Sequence, residues 1–201
     1  VYDSSARLQG SLTNRASAAV DGDRTTAWST PLGSPVGARW QARVDAGFRL
    51  PVLALDVVTD DRHSIPTKVR VTVDGVAQEL ALPDLAPGAL GDTTRVELTP
   101  TQPLAGTDLT VEVLEVAPAY GSDLKGKRVV LPAAIAEVDG LPRVVPATAL
   151  ATGCRDDLLT VDGRAVPVRV EGTPGRTGNG RLAVVTCDGA PLALAAGPHV
   201  L

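Results

Sequence analysis

The sequence predicts an all-β protein, a sandwich of short antiparallel strands. Three observations carry that expectation. Apolar residues recur at every second position in several short runs, the period of a strand with one buried face. The 201 residues include 20 Gly and 16 Pro, spaced to suit turns between strands. No segment keeps a 3.6-residue apolar period over three turns, so no amphipathic helix is expected.

The elements follow in order. Residues 1–30 read as a short strand and then a loop. In WQARVDAGF (40–48), Trp40, Ala42 and Val44 alternate with Gln41, Arg43 and Asp45, the pattern of a half-buried strand. LPVLALDVVTD (50–60) is apolar and β-branched and fits an interior strand. DDRHSIP (60–66) is a polar loop. TKVRVTVDGVAQELAL (67–82) is a β-hairpin: Val69, Val71 and Val73 alternate, and Asp74-Gly75 supplies the positive φ of a tight turn. Residues 83–94 form a loop. RVELTP (95–100) and DLTVEVLEV (108–116) alternate again as strands. Residues 117–128 read as loop and 129–141 as a closing strand.

LPRVVPATALATG (141–153) carries two Pro among small residues and reads as a boundary near 147, which divides the chain into 1–147 and 148–201. The second part opens with another Asp-Gly hairpin (158–172). A Gly-rich segment, GTPGRTGNG (172–180), reads as a mobile loop, because it lacks the Lys-Ser/Thr ending of a phosphate-binding loop and opens no helix. Short strands are expected at 181–187, 190–195 and 199–201.

Composition excludes some functions. Aromatics are 2% of the chain, so the core must be built from Val, Leu, Ala and Ile. The net charge is −4, and no stretch concentrates Lys and Arg. A nucleic-acid site needs a basic footprint and stacking aromatics, and neither is present. No apolar run approaches the length of a membrane span. No signal peptide is visible. The chain begins at Val1 and ends on a strand-like GPHVL, as an excised part of a longer polypeptide would. Cys154 and Cys187 are too far apart for a CxxC site, so the choice lies between two free thiols and a disulfide. The disulfide is favoured, and it implies an extracytoplasmic, oxidising compartment.

The motif Ala19-x-Asp21-Gly22-Asp23-x-x-Thr26-x-Trp28 resembles the N-terminal signature of the discoidin fold, the coagulation factor V/VIII type C domain. That family includes many bacterial carbohydrate-binding modules. WQARVDAG (40–47), IPTKVRVTVDG (65–75) and AIAEVDG (134–140) resemble later strands of the family, in the same order. The resemblance implies a discoidin-like, galactose-binding-like β-sandwich jelly roll over 1 to about 145. A small disulfide-bridged, β-sandwich-like domain would follow it. That second half, with Cys154, TVDGR (160–164), Cys187 and GPH (197–199), resembles a region of actinobacterial α-(1→3)-arabinofuranosyltransferases. These are membrane enzymes that build cell-wall arabinan.

Two candidate sites follow. Asp21, Gly22 and Thr26 offer a carboxylate, a sharp turn and a hydroxyl, either as an oxygen set for a hard cation or as a plain Asx-type turn. The family resemblance implies a structural Ca²⁺ held by the Asp21 side chain, backbone oxygens at Asp23 and Ala136, Thr26 and Glu137. In the second site, Arg62 and His63 can donate to sugar hydroxyls, Asp60 and Asp61 can accept, and Tyr120 is the available stacking ring. Trp28 and Trp40 fit core positions of the strand pattern. Ser64 beside His63 does not make a catalytic pair by adjacency alone. The expectation is a non-catalytic module that binds a cell-wall arabinan-type glycan, within an extracytoplasmic arabinofuranosyltransferase-like protein. The rival is a structural spacer or protein-interaction domain without glycan binding.

Overall fold

The computed structural model describes residues 1–145, 150–172 and 182–200. The chain divides into two compact units, Val1–Val145 and Pro146–Leu201. The first contains strands β1 (Tyr2–Ser4), β2 (Trp28–Ser29), β3 (Arg39–Leu50), β4 (Leu53–Val58), β5 (Ile65–Val73), β6 (Val76–Ala81), β7 (Thr93–Leu98), β8 (Leu104–Ala117), β9 (Tyr120–Ser122), β10 (Arg128–Val130) and β11 (Ala134–Val138). They form antiparallel sheets of five strands, β1-β3-β8-β5-β6, and of four, β2-β11-β4-β7, with β9 and β10 as a separate ribbon.

The alternation in sequence becomes the sandwich. Trp40, Ala42 and Val44 on β3 point inward with Val69, Val71 and Val73 on β5 and Leu109, Val111 and Val113 on β8. They meet Trp28, Leu53, Leu55, Val57, Val96, Leu98 and Ile135 of the four-stranded sheet in one apolar core. Every residue of β4 is buried, as its largely apolar run predicts; the one charged member, Asp56, accepts from the Arg24 guanidinium at 2.8 Å. Both Trp rings are fully buried, and their indole N–H groups donate to the carbonyls of Ala6 and Ala16. The hairpin at Asp74-Gly75 has φ of 46° and 88°, the paired positive values that this turn needs.

Some local expectations are corrected. Residues 16–20 form a 3₁₀ turn whose Ala and Val side chains are buried, where only loop was expected. Residues 120–122 and 128–130 are paired strands, and the closing strand splits into β10 and β11 around Pro132.

The second unit contains β12 (Leu150–Ala151), β13 (Thr160–Val161), β14 (Arg164–Ala165), β15 (Val168–Gly172) and β16 (Leu182–Thr186). These make a three-stranded sheet, β12-β15-β16, and the hairpin β13-β14. Asp162-Gly163 repeats the positive-φ turn at 50° and 78°. Residues 190–195 and 199–200 are not strands, and residue 201 lies outside the described residues. Pro191 and Pro198 lack the N–H that a sheet ladder needs. Cys154 and Cys187 form a disulfide, with Cα atoms 5.8 Å apart. Segment 173–180 lies outside the described residues.

Candidate functional site

Two places gather chemistry in the first unit. The first is a cleft at one end of the sandwich. Strand pairing sets its position: Val58 lies opposite Thr93 and Ile65 opposite Ala117, so the loops 59–64, 83–92 and 117–119 all leave from the same end. Together they enclose a cleft of about 430 Å³ lined by Asp60, Asp61, His63, Ile65, Leu85, Pro87, Tyr120 and residues 117–119.

Asp60 is the hub of these loops, and this changes its expected role. Its carboxylate accepts from the His63 ring at Nδ1 (2.6 Å), from the Arg62 N–H (3.0 Å) and from the Gly91 N–H (3.1 Å). It is 2% exposed, so it is a buried anchor and not a free acceptor for sugar hydroxyls. Burial raises its pKa, but the hydrogen bonds from His63, Gly91 and Arg62 outweigh burial and leave it below the usual carboxylate value.

The other candidates separate. His63 is partly exposed, and its Nε2 has no partner among the described residues. Asp61 is exposed on the cleft edge. Arg62 is exposed but does not line the cleft, and only its backbone N–H serves the site. Tyr120 borders the cleft with half of its surface exposed. The Arg128 guanidinium lies 3.8 Å from its ring centroid and occupies one face, so only the opposite face can stack on a ligand.

Sequence reasoning missed Ser64, which holds the cleft together. It is fully buried. Its hydroxyl donates to the Leu131 carbonyl (2.7 Å) and accepts from the Ala119 N–H (3.1 Å), while its own N–H donates to the Pro132 carbonyl (2.7 Å). That staple ties Ala119, the residue before Tyr120, to the residue after His63, and Tyr120 and His63 line the same cleft. Ser64 is therefore oriented toward backbone and offers His63 no nucleophile. The available signal was a small hydroxyl residue between a polar loop and a β-branched strand, a pattern too common to select it.

The second place is the loop 21–26. Asp21 Oδ1 accepts from the Asp23 N–H (2.9 Å), the Asx-type turn that was one of the two expected readings. Thr26 is buried. Its hydroxyl lies 2.9 Å from both Asp21 Oδ2 and the Asp23 carbonyl. Glu137 of β11 is 4% exposed, and its Oε1 has no hydrogen-bond partner among the described residues. Its pKa is raised, first by burial and further by the charges of Asp21 and Asp139, against the lowering effects of the Gly22 N–H and Arg143. The β11–β4 register shifts between Ile135 and Glu137, so Ala136 sits in a bulge outside the ladder. A polar cleft of about 410 Å³ adjoins, lined by Gly22, Asp23, Arg24, Asp56, Glu137, Asp139 and Arg143.

An orphaned, buried carboxylate oxygen near a second carboxylate, with a hydroxyl and a carbonyl at hand, fits the donor set of a hard cation. Among the described residues no three His, Cys, Asp or Glu side chains converge on one point, so backbone and hydroxyl oxygens would have to complete such a site.

The class so defined is an all-β sandwich with a loop cleft at one end and an oxygen-rich loop on its four-stranded sheet. No protein-family model matches the sequence, and no curated protein matches it. Two solved structures of one enzyme share the fold. The arabinofuranosyltransferase AftD from mycobacteria, seen by cryo-EM, superposes with a TM-score of 0.71 at 21% identity, over 99% of this chain. A mutant of that enzyme gives 0.65 at 22% identity, again over 99% of this chain. The chain spans 16% of either enzyme's length. The family 32 carbohydrate-binding module of C. perfringens NanJ, solved with galactose, gives 0.46 at 16% identity, over 68% of this chain and 89% of its own.

Proposed function

We propose that the first unit is a non-catalytic glycan-binding module of an extracytoplasmic, arabinofuranosyltransferase-like protein. One observation carries the reading: the end cleft brings His63, Asp61 and the half-exposed Tyr120 together with Ile65, Leu85 and Pro87. An aromatic face for the carbon side of a sugar ring, with polar groups at its rim, is the chemistry that carbohydrate recognition needs. The ligand is an arabinan-type cell-wall polysaccharide, and binding holds it at high local concentration for a catalytic region elsewhere in the polypeptide. The burial of Ser64 supports the non-catalytic part. The disulfide supports an oxidising compartment. A structural Ca²⁺ held by Asp21, Thr26, Glu137 and the carbonyls of Asp23 and Ala136 stabilises the loop beside Trp28.

Calorimetric titration of the 201-residue protein with arabinofuranosides, arabinogalactan and galactosides tests the reading. At least one should bind, and Tyr120→Ala should weaken it by roughly tenfold or more. A folded protein that binds none overturns it. The rival is a structural spacer or protein-interaction role without glycan binding, for which exposed apolar side chains such as Val76, Leu90 and Leu124 in the first unit and Val184, Leu192 and Leu194 in the second would serve.

A further inference from the structure

We propose that Asp60 is a positioning residue that locks His63 with its hydrogen on Nδ1. Nε2 is then a bare acceptor at the cleft, and the site selects a sugar hydroxyl that donates its hydrogen there. This rests on the glycan-binding reading of the cleft.

The argument begins with what a carboxylate can do. An ionised carboxylate accepts hydrogen bonds and donates none. Asp60 is buried, and its oxygens face three groups: the backbone N–H of Arg62, the backbone N–H of Gly91 and His63 Nδ1. The first two are donors that cannot change. The third must carry its hydrogen on the nitrogen facing Oδ1 at 2.6 Å, since a bare Nδ1 there would set two lone pairs against each other. In a neutral imidazole the other nitrogen then has no hydrogen. Nε2 has no partner among the described residues, and the side chain is partly open to the cleft. The polar contact at this point is thus an acceptor. The charged side chains that line the cleft with the ring are those of Asp60 and Asp61. Neither of them hydrogen-bonds Nε2.

This sets a chemical preference. A sugar that stacks its carbon face on Tyr120 would meet Nε2 through a ring hydroxyl, and that hydroxyl must donate. A fluorine at the same carbon is nearly the same size but cannot donate. The cleft should therefore reject one deoxyfluoro analogue and tolerate the rest.

Two measurements test the proposal, both on the full chain. Long-range ¹H–¹⁵N spectra report the tautomer directly, and the chain has two histidines, His63 and His199, so His199→Ala completes the assignment. The expected result at a pH where the ring is neutral is hydrogen on Nδ1 and a bare Nε2. Hydrogen on Nε2 overturns the role of Asp60 whether or not any sugar binds, and no Asp60 variant has to fold for this readout. The second measurement titrates methyl arabinofuranoside and methyl galactopyranoside, each with its deoxyfluoro series. One position should lose about tenfold, the Nε2 resonance should move on binding, and His63→Phe should lose about tenfold for the parent sugar with no further loss for that analogue. Sugar binding with Nε2 unmoved and His63→Phe at full affinity overturns the inference and leaves the glycan reading standing. If no sugar binds, the glycan reading falls and the selection with it, even where the tautomer is as expected.

Discussion

Glu137 is the residue where local chemistry is least balanced. A buried carboxylate oxygen without a partner is costly, and its charge is pressed further by Asp21 and Asp139. The sign of the pH effect follows. Its carboxyl is raised in the folded state, so the cation-free protein is most stable with Glu137 protonated, at acid pH. It loses that stability as pH rises from the unfolded carboxylate value through the raised one. The proposed cation would remove the penalty, because it would give Oε1 a partner and offset both charges. At neutral pH in chelator, Glu137→Gln should therefore melt above the parent protein. With Ca²⁺ at a hundredfold excess over its Kd, the parent gains about 2.7 kcal/mol, or about 5–10 °C for a chain of this size, while the variant gains none. Thermal melts of metal-stripped protein decide it. An equal calcium response in both proteins, or none in the parent, rejects the cation site.

At the scale of elements, Ser64 governs how β9 meets the loop before β5. Ser64→Ala leaves the Ala119 N–H without its acceptor and removes a hydrogen from the Leu131 carbonyl. The expected cost is about 1–3 kcal/mol, together with a weaker version of the proposed sugar binding as the loop before β9 loosens from the loop that carries His63. Paired melting and titration curves check this, and unchanged values in both would show that β9 is held by its own ribbon. The same staple explains what could be read from the sequence. Strands that alternate in one sheet, such as β3, β5 and β8, declare themselves, because burial of one face imposes period two. The Asp-Gly turns declare themselves too, because only a few residue types tolerate positive φ twice in succession. β9 and β10 do not. They are three residues each, and their pairing depends on contacts with residues more than fifty positions away. Of the candidate site, Asp61, His63 and Tyr120 were legible by residue type alone. Their meeting was not, because it depends on Asp60 drawing in Gly91 and on Ser64 drawing in Ala119. Asp60 was misjudged for the same reason: in sequence it is one polar residue of a polar loop, and only the fold buries it.

For the whole molecule, the two units rest on different physics. The first has an apolar core fed by both sheets and by both Trp. In the second, Val161 and Val168 are the buried hydrophobic residues among those described. A unit of fewer than 70 residues with so little core has a small stability margin and commonly depends on a cross-link. Here Cys154 and Cys187 close 33 positions of chain, worth about 3–4 kcal/mol in the chain-entropy model, which is comparable to all that such a core supplies. Reduction should therefore unfold the second unit while the first keeps its cooperative transition. In calorimetry, the oxidised protein should keep both units folded to higher temperature. The reduced protein, or the C154S/C187S variant, should lose the heat of the smaller unit near room temperature. Amide resonances of 1–145 should stay in place and keep their exchange protection. If the reduced protein instead melts as one transition at the oxidised temperature, the second unit is held by contacts other than its disulfide, and its exposed apolar residues become the first place to look for them.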